Sequence, residues 1–199
     1  MLSLGRPVSL NRENIANLSL KFYWKQGLNN ISYNNIIKLT KFSKGSFYKL
    51  FFNQDDLHAE TLLCYYDYIS KFMCELSACD DLFEFLNLLK KKKYKHDMKF
   101  CYFFSCYSES YNLGKKTKKV LDKIKKKYKA ILNKIIRKHI DKKIGYTDHI
   151  NVEELTNYYF NSFIIVNLLI RNDAEKSEIN LYKKTLLRFT TDLSQKYKD

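Results

Sequence analysis

Apolar residues recur along most of the chain at three- and four-residue steps, the spacing that lines one face of an α-helix. Asn11 is placed to cap a first helix running to about Gln26, with Ile15, Leu18 and Phe22 on one side, and Gly27 is the expected stop. Ser32 caps a short second helix that turns Ile36, Ile37 and Leu39 inward, and a break follows at Thr40 to Phe42. Ser43 then caps a third short helix containing Phe47, Tyr48 and Phe51. Asn53, with Asp56 three residues later, opens a fourth through Leu57, Leu62 and Leu63 to about Glu75. A fifth begins at Asp80/Asp81 with Leu82, Phe83, Leu86 and Leu89, and a sixth spans about Lys99 to Tyr111. The seventh carries Leu121, Ile124, Tyr128, Ile131 or Leu132, Ile135 and His139 between lysines. Asn151 with Glu154 caps an eighth, rich in Tyr158, Tyr159, Phe163, Ile164, Val166 and Leu169. Ile179, Tyr182, Leu186, Phe189 and Leu193 form a ninth stripe at heptad-like steps.

Composition agrees with an all-α fold. The 199 residues include only five Gly and one Pro, too little turn material for a many-stranded sheet. With 45% apolar and 29% charged residues the chain can bury a core without disulfides or metal, as one domain or two small ones. The five cysteines contain no C-x-x-C pair, and Cys101 and Cys106 fall about 140° apart on a helix, so they are read as buried thiols. The four histidines lack ligand spacing, and no P-loop, G-x-S-x-G or G-x-G-x-x-G occurs, so neither cofactor nor enzyme is expected. No secretory leader is recognisable in the first fifteen residues, and the greasy run from Phe163 to Ile170 is far too short to span a bilayer. A cytoplasmic protein without stable membrane insertion is the expectation. The formal charge of +15 is concentrated: residues 114–145 hold fourteen basic and two acidic side chains. That run reads either as a basic surface for an anionic partner or as a solvated helix face in a lysine-rich sequence.

Two short helices joined by a tight turn, the second opening at a Ser cap, form a helix-turn-helix pattern suited to the DNA major groove. The run Ile36-Ile37-Lys38-Leu39-Thr40-Lys41-Phe42-Ser43-Lys44-Gly45-Ser46-Phe47-Tyr48-Lys49-Leu50-Phe51 resembles the signature of the tetracycline-repressor-like (TetR) family. Asn53-Gln54-Asp55-Asp56-Leu57 resembles that family's entry into its fourth helix. Gly5-Arg6-Pro7, the Phe22-Tyr23-Trp24 cluster, and Gly27 with Ser32 are similar to the subset beginning Gly-Arg-Pro. The likeness covers residues 5 to about 65. The chain departs from the pattern at Lys41, where Gly is usual, at Ile37, where a small residue is usual, and at Gln54, where a phosphate-binding Lys is usual. A left-handed backbone at Lys41 would cost roughly 1–2 kcal/mol.

The resemblance implies about nine helices: a DNA-binding domain over residues 1–52, with an arm at 1–10, and a ligand-binding, dimerising domain over 53–199. Carried over by position, Ser32 and Tyr33 would meet phosphates, Ser43 would open the recognition helix, and Lys44, Gly45, Ser46 and Tyr48 would face DNA. Lys49 could reach backbone or a guanine edge, and Arg6 the minor groove. Phe47 and Phe51 read as core. Phe100, Cys101, Tyr102, Phe103, Phe104, Cys106 and Tyr107 form a segment dense enough in aromatics to line a pocket for an unknown small-molecule effector, though plain core packing explains it as well. Tyr159, Phe163, Val166, Ile170, Leu186, Phe189 and Leu193 are candidates for a homodimer interface, against the alternative of a monomeric core. The function implied is a ligand-responsive regulator, most often a repressor, binding a palindromic double-stranded DNA operator. Two other readings stay open: an adaptor that binds a protein partner without a specific operator, and non-specific association of the basic helix with nucleic acid or membrane.

Overall fold

The computed structural model describes residues 11–143 and 151–195, and every regular element among them is helical. The helices are α1 (Arg12–Gln26), α2 (Tyr33–Thr40), α3 (Lys44–Leu50), α4 (Gln54–Ala78), α5 (Leu82–Lys91), α6 (Tyr102–Ser108), α7 (Lys115–Lys143), α8 (Val152–Arg171) and α9 (Lys176–Gln195). Short 3₁₀ turns lie at Lys95–Asp97 and Ser110–Asn112. Side-chain caps set most of the starts. Ser32 accepts from the Asn35 N–H at 3.2 Å, Ser43 from Ser46 at 3.2 Å, Asn53 from Asp56 at 2.9 Å and Asp81 from Glu84 at 2.9 Å. Each occupies one of the donors a helix leaves orphaned at its first turn. Gly27 ends α1 with φ +91°, a backbone that a Cβ would strain.

Three expectations change. The sixth helix is shorter than Lys99 to Tyr111, because Cys101 is still extended and gives its N–H to Asn167 Oδ1 at 2.7 Å, so helical bonding begins only at Tyr102. At its other end the chain tightens into the 3₁₀ turn. The fourth helix continues past Glu75 to Ala78. Leu39 sits on the outer flank of the last turn of α2 and is 43% exposed rather than inward.

α4 is the spine, with α1 on one side and α7 on the other; α8 packs on α6 and α7, and α9 on α8 and α5. One continuous apolar cluster runs from Ile15, Tyr23 and Trp24 through Ile36, Phe47, Phe51 and Leu57 to Phe103, Ile135, Tyr159 and Leu186. Ile37 is accommodated, being buried with 6% exposure. The single Trp24 is the pivot between the two ends: its ring meets Tyr65, Tyr94 and Tyr102, mostly edge to face. No helix among the described residues is long and apolar enough to cross a membrane.

Candidate nucleic-acid interface and adjoining cavity

α3 is anchored from beneath and bare above. Phe47 and Phe51 are fully buried and pack on each other at 5.6 Å, while Tyr33 lies edge-on to Phe47 at 5.3 Å. Those rings fix the helix so that Ser43, Lys44, Gly45, Tyr48 and Lys49 are exposed and Ser46 half-buried. A Cβ added to Gly45 would meet nothing within 4 Å, so the surface there is open to close approach by a partner. The Lys44 ammonium stands 5.9 Å from the Tyr48 ring. Ser32 is exposed at the start of α2. Tyr33 is half-buried and gives its hydroxyl to the Phe51 carbonyl at 2.8 Å, so it braces α2 on the end of α3. Burial, with the neighbouring Tyr48 phenol, pushes Tyr33 up to about 12, which keeps it a donor. Arg6 lies outside the described residues. Between α2 and α3, Lys41 takes φ +59°, ψ +22°, the left-handed conformation that glycine accommodates without cost.

A charged junction ties this unit to the body, and nothing in the local sequence pattern announced its reach. Arg12 grips Asp56 with two hydrogen bonds of 3.1 Å, meets Glu60 at 3.0 Å, and donates to the Leu50 carbonyl at the end of α3. Lys116 of α7 reaches the same Asp56 at 2.8 Å, and the Phe52 N–H adds a bond of 3.2 Å. The Arg12 guanidinium above all holds the Asp56 carboxyl well below the usual range, against the opposing effect of burial. Asp55 supplies what α7 lacks. Gly114, whose carbonyl accepts from the Lys118 N–H, has no side chain to cap with. The Asp55 carboxylate instead takes the N–H groups of Lys116 and Thr117 at 2.9 and 3.0 Å and the Thr117 hydroxyl at 2.6 Å. Burial raises the Asp55 pKa, but these bonds from Thr117 and Lys116 outweigh it and leave it lowered. A Cβ on Gly114 would fall 2.2 Å from the Asp55 carboxyl carbon, so the fit requires glycine.

The aromatic segment 100–107 divides between core and cavity. A cavity of about 290 Å³ opens between α5, the loop that precedes α6, α8 and α9. Phe100, Cys101 and Phe104 line it. Tyr102 packs against Tyr65 and shares a hydrogen bond of 3.1 Å with Thr61. Phe103 stacks on Tyr128 at 4.9 Å, Tyr107 sits edge-on to Phe160, and Cys106 is buried. Those four pack into the helical core and do not line the cavity. Four residues expected at a dimer interface, Phe163, Val166, Ile170 and Leu186, line the cavity as well. Tyr159 is fully buried, its hydroxyl shared with Thr190 at 2.6 Å, and Phe189 packs on Tyr158 at 4.7 Å. The side chain of Leu193 lies outside the described residues. Tyr159 and Leu186 thus belong to the protomer's own core, since α9 turns that stripe onto α5 and α8. The outward face of the α8–α9 pair carries Tyr158, Ile165 and Leu181, exposed by 41%, 41% and 66%.

Two links connect the cavity with α1 and the segment after it. The Trp24 Nε1–H of α1 donates to the Phe100 carbonyl at 3.0 Å. Arg171, ending α8, pairs with Glu109, whose other oxygen accepts from Asn29 at 3.2 Å just beyond Gly27.

The fold is thus an all-helical body bearing a helix-turn-helix with an exposed second helix. No family model and no curated protein matches the sequence. Solved structures do. A TetR-family transcriptional regulator from Cytophaga hutchinsonii superposes with TM-score 0.74 at 17% identity, over 90% of this chain and 92% of its own. The regulatory protein TetR from Rhodobacter sphaeroides gives 0.73 at 15%, over 90% and 98%. The TetR-family regulator CifR, solved as a cysteine mutant complexed with 26-bp double-strand operator DNA, gives 0.70 at 14%, over 92% and 98%. The chain has the fold of the TetR-family regulators.

Proposed function

We propose that the chain is a TetR-family transcriptional regulator, not an enzyme, that binds a palindromic operator as a homodimer and acts as a repressor released by a small molecule. The reading rests chiefly on α3: its apolar side is locked down by Phe47 and Phe51, while its polar side presents Lys44, Gly45, Ser46, Tyr48 and Lys49. A seven-residue helix that exposes small, basic and phenolic groups on one side fits the major groove. Phosphate contacts come from Ser32, the Ser43 end and Tyr48, and base contacts from Lys44 and Lys49. The arm with Arg6 reaches the minor groove. Residues 1–52 form the reading domain and 53–199 the body.

The apolar outer stripe of Tyr158, Ile165 and Leu181 is the surface by which two copies pair. Two recognition helices then stand about 34–36 Å apart, one turn of DNA. The cavity is the effector site. A ligand pressing on Phe100 acts on the carbonyl that receives the Trp24 bond, and so on α1. A population whose helix spacing no longer matches the groove releases the operator. Titration of the full chain against the DNA upstream of its own gene is the test. Salt-sensitive, sequence-dependent binding is the expected outcome; binding that is absent, or indifferent to sequence, overturns the reading.

A further inference from the structure

The walls of the cavity are chemically divided. Leu86, Leu89, Phe104, Phe163, Ile170 and Leu187 make its interior apolar. Five lysines share the lining, Lys90 and Lys92 from the end of α5, Lys99 from the loop, and Lys183 and Lys184 from α9, and no described lining residue is acidic. Two of the five are occupied. Lys92 lies over the Phe72 ring at 4.2 Å, and Lys99 pairs at the surface with Asp173 at 3.9 Å. Lys90 of α5 and Lys183 of α9 line the same cavity. Burial first, and then the Lys90 charge, push the Lys183 ammonium below its ordinary pKa. The buried Asn167 is no rival as a polar anchor, since it already accepts from Cys101 and gives 3.1 Å to Ser105 Oγ.

We propose that this cavity binds a small amphipathic carboxylate, its apolar body against Phe104, Phe163 and Leu187 and its carboxylate between Lys90 and Lys183. Lysines lining an apolar slot, with no acidic side chain among the described lining residues, favour an anion there. A neutral ligand would leave the two charges repelling, and a cation would add a third. The volume lies near the lower end for ligand sites, roughly 300–1,000 Å³, so a single short chain or one ring system fits. That this carboxylate is the effector rests on the reading of the cavity given above; that it binds does not.

The probe is sodium decanoate, kept below its micellar concentration and titrated calorimetrically into the full chain, with 1-decanol and decyltrimethylammonium as the neutral and cationic counterparts. Decanoate is expected to bind at one site per chain, at least about tenfold tighter than decanol, the margin of one charge-assisted hydrogen bond. The double variant Lys90→Gln, Lys183→Gln, at exposed and half-buried positions, is expected to lose that margin and bind both probes alike. Val166→Trp, which fills the slot, is expected to abolish both. Equal binding of decanoate and decanol by the unaltered chain, or decanoate binding unchanged in the double variant, overturns the proposal. Anionic phospholipid vesicles form the second arm: capture by vesicles with no response to free decanoate makes the lysines a lipid-headgroup surface and also overturns it. Operator titration without any probe separates the two readings. A chain that binds its promoter but not decanoate loses only the ligand, and one that binds decanoate but no DNA loses only the regulator.

Discussion

His58 lies 5% exposed in the first turns of α4, edge-on to Tyr23 of α1 at 4.6 Å, and its Nε2 is 3.2 Å from the Gln54 amide nitrogen. That amide also donates to the Ile31 carbonyl. An NH₂ group can only donate, so Nε2 accepts and the ring is neutral with its proton on Nδ1. Burial brings the His58 pKa down to about 4 from 6.5, against the smaller pull of Asp55. The folded pKa is depressed, so the unfolded chain binds the extra proton between those two values. The stabilisation from His58 is therefore complete above about pH 6.5, declines as the pH falls, and is gone below about pH 4. The full span is worth about 3 kcal/mol, of which about 2 kcal/mol is lost by about pH 5. Against a typical total of about 5–15 kcal/mol this is a large fraction. Urea unfolding followed by the fluorescence of the single buried Trp24 measures it directly. In His58→Gln the side-chain oxygen can still accept from Gln54 but cannot titrate. The variant should lose markedly less stability than the unaltered chain between about pH 7 and about pH 5. Parallel pH profiles for the two proteins would refute the reasoning.

Lys41→Gly relieves a left-handed backbone worth about 1–2 kcal/mol but adds freedom to the unfolded chain, so a net gain of about 0.5–1 kcal/mol is expected in the same urea assay. Gly114→Ala drives a methyl into the Asp55 carboxylate, and Asp55→Ala removes the cap outright. Each is expected to cost about 1–2 kcal/mol, and hydrogen exchange should show the loss at the amides of Lys116 and Thr117. Under the proposed function, Tyr48→Phe weakens operator binding by roughly tenfold, and Lys44→Ala lowers the salt slope by about one, with circular dichroism unchanged because both side chains are exposed. If two copies pair as proposed, Ile165→Lys with Leu181→Lys should give a monomer in sedimentation and leave the fold intact.

Local signals in this sequence carried local facts. Ser32, Ser43 and Asn53 were readable as caps because a cap is decided within four residues, and each makes the hydrogen bond expected of it. Phe47 and Phe51 were readable as core, and Lys44, Gly45 and Tyr48 as surface, because a short helix with two large rings on one side has only one way to lie. What escaped was set by partners far along the chain. Helical periodicity began at about Lys99, yet Asn167, more than sixty residues away, takes the Cys101 N–H and delays α6. Tyr159 and Leu186 could be read either as a surface for a second copy or as a monomeric core, because amphipathicity shows that a face is apolar, not what covers it; in the structure both are buried. The cavity was half visible in Phe100, Cys101 and Phe104. Its lysines were not, since Lys90 and Lys183 lie far apart in the chain and look like ordinary solvated charge until the fold brings them to one cavity.

The cap that Asp55 lends to α7 makes the start of a 29-residue helix depend on a carboxylate from a different one. The start of α4 is capped locally by Asn53, but the first turn of α7 is satisfied only where the fold brings Asp55 to it. A tilt of the α4 entrance would therefore displace the carboxylate that holds the head of the lysine-rich rod.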